Sequence, residues 1–467
     1  MGLKDFDVRQ LPKPPSLRNL IGPSFILLGL GLGSGELILW PYLASNFGMA
    51  IIWGAILGIT FQFFMNMEIE RYALVRGESV FVGYARKSRF IPFWFLISTF
   101  IPWIWPGIAA ASAVLISTVF GISDTKIVAI GLLIVMGVIL SVGPVLYKTV
   151  EGIEKILIAV GIPVIFVFAI ILAREDVWTQ TAKGLIGVGD NYFLFPEGIA
   201  IATFLAALAY SGAGGNLNLA QAFYIKEKGY GMGKYAGRIT SLLTGKVEDI
   251  SLTGTRFELS TESLADFKKW WKLINIEHFL IFWLTGGVTI IMLASLAYST
   301  TYGLPGTSQG INFVIEEALV IGEKLVPIAG VFFLLIGGLL LFGTQLTVYD
   351  ASSRILAENS ILAFHERFTG RRIRHFYYLF LWLQIGAGIL IFSLGFTEPL
   401  QLLIIAAVLN AFAMFVHIGL TLYLNRTSLE KEIKPGIIRT SVMILAFLFF
   451  GAFSAVVIFD RIIKNFL

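Results

Sequence analysis

Apolar runs long enough to cross a lipid bilayer recur from one end of this 467-residue chain to the other. A helix needs about 20 apolar residues to cross the hydrocarbon core, and hydropathy predicts about eleven spans. They begin near Ile21, Ala50, Pro92, Ile127, Ile153, Gly198, Phe279, Val326, Tyr377, Leu400 and Ile437. Only 14% of the residues are charged, against about 25% in soluble domains. The sequence therefore predicts an all-α integral membrane protein without a large soluble domain.

Basic residues sort by loop, which predicts the orientation of the chain in a cell membrane. They occupy the N-terminal tail and the loops after the second, fourth, sixth, eighth and tenth spans, as at Lys4, Arg76, Lys148, Lys226, Arg371 and Lys434. Loops rich in Lys and Arg face the cytoplasm. With an odd number of spans, the N-terminus is expected in the cytoplasm and the C-terminus outside. The net charge of +5 thus indicates a bilayer partner rather than nucleic acid.

The first span contains an unusual stretch between Gly22 and Asn46, GPSFILLGLGLGSGELILWPYLASN. Glycine stands at every second position from Gly29 to Gly35, and Glu36 follows directly. Each glycine weakens a helix by roughly 1 kcal/mol, and a carboxylate at bilayer depth costs at least about 2.5 kcal/mol. Non-helical backbone at that depth survives only where it lines a cavity or is buried in protein. We therefore expect a helix that is broken in mid-membrane and forms half of a substrate site.

A second glycine-rich stretch, ALAYSGAGGNLNLAQAFY, runs from Ala207 to Tyr224 in the sixth span. Its SGAGGN motif is similar to the GLGSGE motif of the first span. Each motif lies in the first span of a set of five. Two interrupted spans in corresponding positions are typical of an inverted-repeat transporter with a site at the membrane midplane. The alternative is that these glycines only let helices pack closely.

This interpretation divides the chain into five parts. They are a cytoplasmic tail 1–20, a first repeat 21–173, an external loop 174–197, a second repeat 198–424 that includes a cytoplasmic loop 226–275, and an eleventh span 436–460. The end of that loop has apolar residues at near-helical spacing among lysines, which predicts an amphipathic helix at the interface or a tryptophan belt before the next span.

These motifs resemble the Nramp metal-ion transporter family. The first span, the YSGAGGNLNLAQAF of the sixth and the GTQLTVYDASSRILAEN of the eighth carry the resemblance. It implies a LeuT-like inverted repeat of five plus five helices and an eleventh helix, with the first and sixth helices broken.

Departures from the family bear on the substrate. Gly33 stands at the family's ligand Asp, Glu36 at its Asn, and Ala213 at its Met. The oxygen donors that remain suit magnesium or calcium better than soft transition metals. The family's sixth-span histidines are Gly215 and Ala220 here, and its proton route through the third and ninth spans is reduced to Gln384. We therefore expect transport that is uncoupled or differently coupled.

The candidate substrate site is assembled from both breaks and the eighth span, with Glu36 and Asn216 as the predicted metal ligands. Its members are Gly33, Ser34, Gly35, Glu36, Tyr210, Ser211, Ala213, Asn216, Asn218 and Gln345. Alternatively, Glu36 pairs with a buried basic group, Asn216 and Asn218 satisfy backbone groups freed by the break, and Gln345 only links helices.

Other polar residues are expected to be structural. Asp350 and Arg354 are four residues apart and should pair with each other. Glu154 is expected at the membrane edge. The four histidines, His278, His365, His375 and His417, are expected near span ends without spacing for a metal site.

The predicted function is a secondary transporter of a divalent cation, with magnesium or manganese as examples, as a monomer or weak oligomer. No cofactor other than the transported cation is expected. The alternative is a carrier of an amino acid or similar organic solute. A channel is a further alternative. Asp190 in GVGD and Asp350 in YD imitate an intramembrane aspartyl protease, but they should lie on opposite sides of the bilayer, so we expect no enzyme.

Overall fold

The computed structural model describes residues 5–16, 20, 22–142, 146–189, 192–236, 252–304 and 310–461. Within these residues, ten helices are long and apolar enough to cross a membrane. They are Pro23–Phe47, Met49–Arg76, Ile91–Phe120, Thr125–Val142, Tyr147–Ile171, Thr261–Thr301, Pro327–Ala363, Gly370–Ser393, Pro399–Ser428 and Ile437–Phe459. They match ten of the predicted spans, and the protein is a multi-pass, all-α membrane protein. We number the spans as in the sequence prediction, so Thr261–Thr301 is the seventh.

The predicted sixth span is not one continuous helix. It consists of a helix Ile201–Ala209, a 3₁₀ turn Gly215–Ala220 and a helix Gln221–Lys228. Gly214 and Gly215 connect the parts with φ angles of 74° and 56°. Only glycine adopts such angles without strain, so the interruption follows from the sequence and confirms the prediction for this span.

The first span differs from the prediction. It is not unwound, because its helix Pro23–Gly31 continues through a π-helical segment Leu32–Leu39 into a helix Trp40–Phe47. The amide of Trp40 donates to the carbonyl of Gly35, five residues back. A π-helix accommodates the weak helix formers while it keeps backbone groups paired away from water. The glycines therefore widen this helix rather than break it.

The third span carries a break that the sequence analysis did not predict. Its two helices, Ile91–Trp103 and Gly107–Phe120, meet at Pro106. Proline removes a backbone donor and clashes with the preceding turn. A Cβ at Gly107 would lie 2.6 Å from the backbone nitrogen of Leu403 in the tenth span, so the absence of a side chain lets the two spans touch.

Shorter elements connect the spans or form the first turn of a span. They are the helices Val80–Lys87, Val177–Gly184 and Asn312–Lys324, the 3₁₀ turns Met49–Ile51, Gly231–Tyr235, Gly370–Arg372 and Lys431–Ile433, and the strands Asp7–Val8 and Thr255–Arg256.

The N-terminal tail and the segment before the seventh span cover one end of the bundle, which we call the tail face. The two strands pair in parallel there, and the indole of Trp270 donates to the carbonyl of Pro12 at 2.7 Å. The amphipathic segment is helical, but it continues into the seventh span as Thr261–Thr301. Phe267 and Trp270 are buried in protein, so the prediction that this face lies on lipid is wrong for these two residues.

The first span lies at the centre of the bundle. In the 18-residue apolar core of this span, 94% of the residues are buried in protein. The corresponding share for the last span, Ile437–Phe459, is 28%. A helix that is apolar all round is expected at such a central position. The polar side chains of Ser24, Ser34, Glu36 and Ser45 on this span are therefore surrounded by protein.

Candidate functional site

Two first-span glycines form the contact with the interrupted sixth span. A Cβ at Gly31 would lie 2.9 Å from backbone atoms of Gly212, and a Cβ at Gly35 would overlap the carbonyl oxygen of Tyr210. Backbone meets backbone here with no side chain between. These glycines therefore hold the two spans together and leave no open volume at their own positions.

On another side of the first span, Thr344 of the eighth span binds its backbone. The Thr344 hydroxyl donates to the carbonyl of Gly29 at 2.7 Å and accepts from the amide of Gly33 at 3.0 Å. Gly29 and Gly33 are four residues apart, the spacing of an α-helical hydrogen bond. The hydroxyl thus bridges a helical donor and acceptor just where the π-helical segment begins.

Glu154 lies beside this bridge, so the prediction that places it at the membrane edge is wrong. It is about two turns inside the fifth span. Its side chain is 2% exposed, accepts from the Thr347 hydroxyl at 2.5 Å, and would overlap a Cβ at Gly29. The sequence feature that could have indicated its burial is the long apolar run that follows it. Glu154 is thus a second buried acid, besides Glu36, that lies next to the first-span glycines.

Glu36 is fully buried in the π-helical segment, and neither carboxylate oxygen has a hydrogen-bond partner among the described residues. It points towards the seventh span, since a Cβ at Gly286 would lie 3.3 Å from its Oε1. Leu28 and Ile59 border the same spot. The expected alternative, an ion pair with a buried base, is not found among the described residues. An acid in such surroundings needs a cation or a proton to offset its charge.

Asn216 at the second break is already bound on both sides of its amide. Its nitrogen donates to Ser98 Oγ at 2.8 Å and Thr99 Oγ1 at 3.0 Å in the third span. Its oxygen lies 3.2 Å from Nδ1 of His417 in the tenth span. In this conformation Asn216 therefore joins three spans, and none of its hydrogen bonds reaches Glu36.

Asn218 fits the alternative that the sequence analysis left open. Its nitrogen donates to the carbonyl of Gly215 at 3.3 Å, inside the break, while its oxygen has no partner among the described residues. It therefore satisfies a backbone group that the interruption freed.

The remaining predicted site residues are all buried. The Tyr210 hydroxyl accepts from Asn410 at 3.1 Å and its ring stacks on Trp103. Ser211 accepts from the indole of Trp40 at 2.9 Å and donates to a backbone carbonyl. Tyr210 and Ser211 thus have packing partners. For Ser34, Ala213 and Gln345, burial alone is established.

One histidine prediction is wrong. His417 lies well inside the tenth span Pro399–Ser428, fully buried, with Nε2 at 2.9 Å from the sulfur of Met65. His278 is also fully buried in the helix Thr261–Thr301, where it directly precedes Phe279, the predicted start of the seventh span. No group of three or more His, Asp or Glu side chains arranged to hold a metal occurs in the described part of the chain.

The predicted pair Asp350 and Arg354 is present, with the guanidinium Nε at 2.9 Å from both carboxylate oxygens. Arg354 also binds Glu227 of the sixth span, and the Tyr377 hydroxyl donates to Asp350 at 2.9 Å. Asp350 is thus a partner in an ion-pair network. Asp190, the other half of the protease-like motif, lies outside the described residues.

One buried acid outside the spans predicts a pH dependence of stability. Burial raises the pKa of the Glu317 carboxyl well above its usual value, and its Oε1 has no partner in the described structure. A raised folded-state pKa gives stability that is complete at low pH and is lost as pH rises through it. We expect Glu317→Gln to raise the melting temperature by about 2–4 °C at pH 8 and to change nothing near pH 4. The exposed Glu323→Gln is the control, and an equal shift at both pH values would contradict the prediction.

No family model matches the sequence, and no curated protein is similar to it. Solved structures are similar. A manganese transporter of Eremococcus coleocola, in complex with an aromatic bis-isothiourea substituted compound, aligns with a TM-score of 0.72 at 14% identity over 99% of this chain and 91% of that one. A structure of a single-residue mutant of the same transporter gives a TM-score of 0.71 at 15% identity over the same shares. The chain has the LeuT-like fold.

MHP1, a nucleobase-cation-symport-1 family transporter with bromovinylhydantoin bound, aligns more distantly. Its TM-score is 0.52 at 13% identity, over 96% of this chain and 95% of that one. The manganese transporter covers nearly the whole chain at a higher score, so the LeuT-like fold here is Nramp-like. This confirms, at the level of the fold, the resemblance seen in the sequence. A fold at this identity does not carry a function with it.

Proposed function

We propose that this protein is a divergent relative of the Nramp transporters and is a secondary transporter of a hard divalent cation. Glu36 carries the proposal, because it is a fully buried acid in mid-span with neither oxygen paired among the described residues. Intramembrane acids without a partner mark ion pathways. A manganese transporter shares the fold over nearly the whole chain, and magnesium suits the oxygen donors here.

The contacts of the first span support an ion rather than an organic solute. Gly31 and Gly35 touch the backbone of the sixth span directly, so the glycines do not create the large volume that an amino acid would fill. Cation ligands would come from Glu36 and from backbone carbonyls of the first and sixth spans. Asn216 would join them only after leaving Ser98 and Thr99, so we propose it as a ligand of another conformation.

The proposed orientation follows the basic loops, with the tail face in the cytoplasm. We keep the division into two repeats of five spans as part of this proposal. MHP1 binds an organic ligand on a related fold, which keeps a small organic solute as the second candidate.

A substrate screen tests the proposal. The purified protein is reconstituted in liposomes, and uptake of Mg²⁺, Mn²⁺ and Ca²⁺ is compared with uptake of labelled amino acids. We expect saturable uptake of a divalent cation, competition by the other hard cations and no amino-acid uptake. Saturable uptake of an amino acid, or a current that never saturates with concentration, would overturn the assignment in favour of a solute carrier or a channel.

A further inference from the structure

A buried polar cluster at the tail face belongs to none of the sites above. It is formed by Ser24 of the first span, Glu70 of the second, Gln221 of the sixth, and Glu277 and His278 of the seventh. The exposed fraction of each side chain is at most 3%. Four spans therefore meet through two acids and an imidazole that water does not reach.

The hydrogen bonds of the cluster fix its protons. Ser24 Oγ donates to Glu277 Oε2 at 2.5 Å and lies 2.7 Å from Nδ1 of His278. A hydroxyl has one proton to donate, so the imidazole Nδ1 donates to Ser24 when Glu277 is ionised. The same Nδ1 is 3.6 Å from Glu70 Oε1. His278 therefore points its proton at the space between Ser24 and Glu70.

Several polar atoms of the cluster have no partner among the described residues. They are Glu70 Oε2, Glu277 Oε1, Gln221 Oε1 and His278 Nε2, and the hydroxyls of Tyr147 and Tyr230 near Glu277. The amide of Gln221 donates to Glu70 at 2.5 Å, and the His278 ring is stacked on Phe63 and Phe282. The cluster thus has unused hydrogen-bonding capacity.

The nearby cations are bound to other acids. Arg439 of the eleventh span faces Glu70 and His278, but its guanidinium also lies 3.7 Å from Glu68 and binds Asn275. Lys228 faces Glu277, yet its ammonium lies 2.9 Å from Glu151. Two buried carboxylates with no base of their own are strongly unfavourable when both are charged.

We infer that Glu70, Glu277 and His278 form a proton-binding site that holds the N-terminal end of the first span through Ser24. With a proton bound on Glu70, Glu277 is the one charged acid of the pair, and it accepts from the Ser24 hydroxyl, which in turn accepts from His278. Without it, Glu70 and Glu277 are both charged and repel each other, and this repulsion pushes Glu277 away from Ser24 and from the backbone of Gly22 that it also binds. The site thus links proton binding at the tail face to the position of the span that carries Glu36.

This site shares no residue with the predicted metal ligands Glu36 and Asn216. It would let a chain without the usual Nramp proton residues respond to protons. It goes beyond the proposed cargo, because it concerns the position of the first span and not what is transported. Its test is therefore independent of the substrate screen.

Thiol labelling tests the inference, since the natural chain has no cysteine. Ile26, two residues from Ser24 and fully buried, is changed to Cys in otherwise intact protein in nanodiscs. The rate at which a maleimide labels this cysteine is measured. It is divided by the labelling rate of a Ser393→Cys protein, because Ser393 is exposed and the ratio then no longer contains the pH dependence of the thiol itself. From pH 6 to pH 8 we expect the ratio of labelling rates to rise about tenfold. A factor of about ten is the change in an opening equilibrium that corresponds to one pKa unit of coupling between proton binding and the closed position of the span.

Glu70→Gln and Glu277→Gln, each in the Ile26→Cys background, mimic the protonated acids and should keep the ratio low at every pH. Ser24→Ala, which removes the link itself, should keep it high at every pH and serves as the second variant if an acid variant does not fold. The exposed Glu262→Gln should retain the wild-type profile. A profile unchanged in all three cluster variants would overturn the inference. Suppression of the ratio by Mg²⁺ at constant pH, lost in the acid variants, would also overturn it in favour of a metal site.

Discussion

Glu36→Gln is expected to abolish saturable cation uptake while the protein stays folded. The amide has the shape of the carboxylate but no charge, and the structure shows no described hydrogen bond that the change would break. Changes in the second layer around a metal already cost 10–100-fold in affinity, so we expect losing this direct ligand to lower uptake by about 100-fold. Because a buried charge is removed, the melting temperature should not fall.

The measurement is cation uptake into liposomes together with thermal stability of the same preparation. Glu36→Asp keeps the charge on a shorter side chain and should retain part of the uptake. Glu323→Gln, which removes an exposed acid, is the matched control. Uptake by Glu36→Gln at the wild-type rate would show that this acid is not a ligand.

Gly35→Ala should damage the protein more than any other single methyl addition in the first span. Its Cβ would overlap the carbonyl oxygen of Tyr210, and backbone cannot rotate away as a side chain can. Overpacking lowers the free energy of unfolding by about 1–3 kcal/mol in ordinary cores. Because the obstacle here is backbone, we expect the loss for Gly35→Ala to lie at the upper end of that range or above it. We expect a lower melting temperature and a loss of transport, because the first and sixth spans are forced apart.

Gly131→Ala in the fourth span is the control, since nothing lies within 4 Å of a Cβ there. It should be neutral or slightly stabilising, as alanine favours a helix over glycine by about 1 kcal/mol. Equal melting temperatures of the two variants would contradict the close contact between the spans.

The sequence predicts the spans and the break in the sixth because both depend on local properties. Hydropathy follows from each segment alone, and Gly214 and Gly215 take φ angles that other residues avoid. The first span shows where this reasoning ends. Four alternating glycines predict a weak helix, but the choice between an unwound and a π-helical backbone depends on a neighbour, the Thr344 hydroxyl between Gly29 and Gly33.

The site is harder to predict for the same reason. Glu36 is identifiable by its own cost in the membrane, whereas Glu154 and His278 become notable only through partners that are distant in the chain. Asn216 is a candidate ligand because of its position in the break, but Ser98, Thr99 and His417 bind its amide. Partners from separate spans cannot be inferred from one stretch of sequence.

The seventh helix, Thr261–Thr301, has 41 residues and is about 60 Å long at 1.5 Å per residue. That is roughly twice the hydrocarbon thickness of a bilayer, so about half of the helix lies outside the hydrocarbon, where Phe267 and Trp270 pack it against the tail face. An antibody fragment bound to its exposed lysines would be held in a fixed direction relative to the membrane core. For a chain of 51.5 kDa whose described residues lie mostly in membrane-length helices, a fragment bound there is a practical fiducial for particle alignment in electron cryo-microscopy.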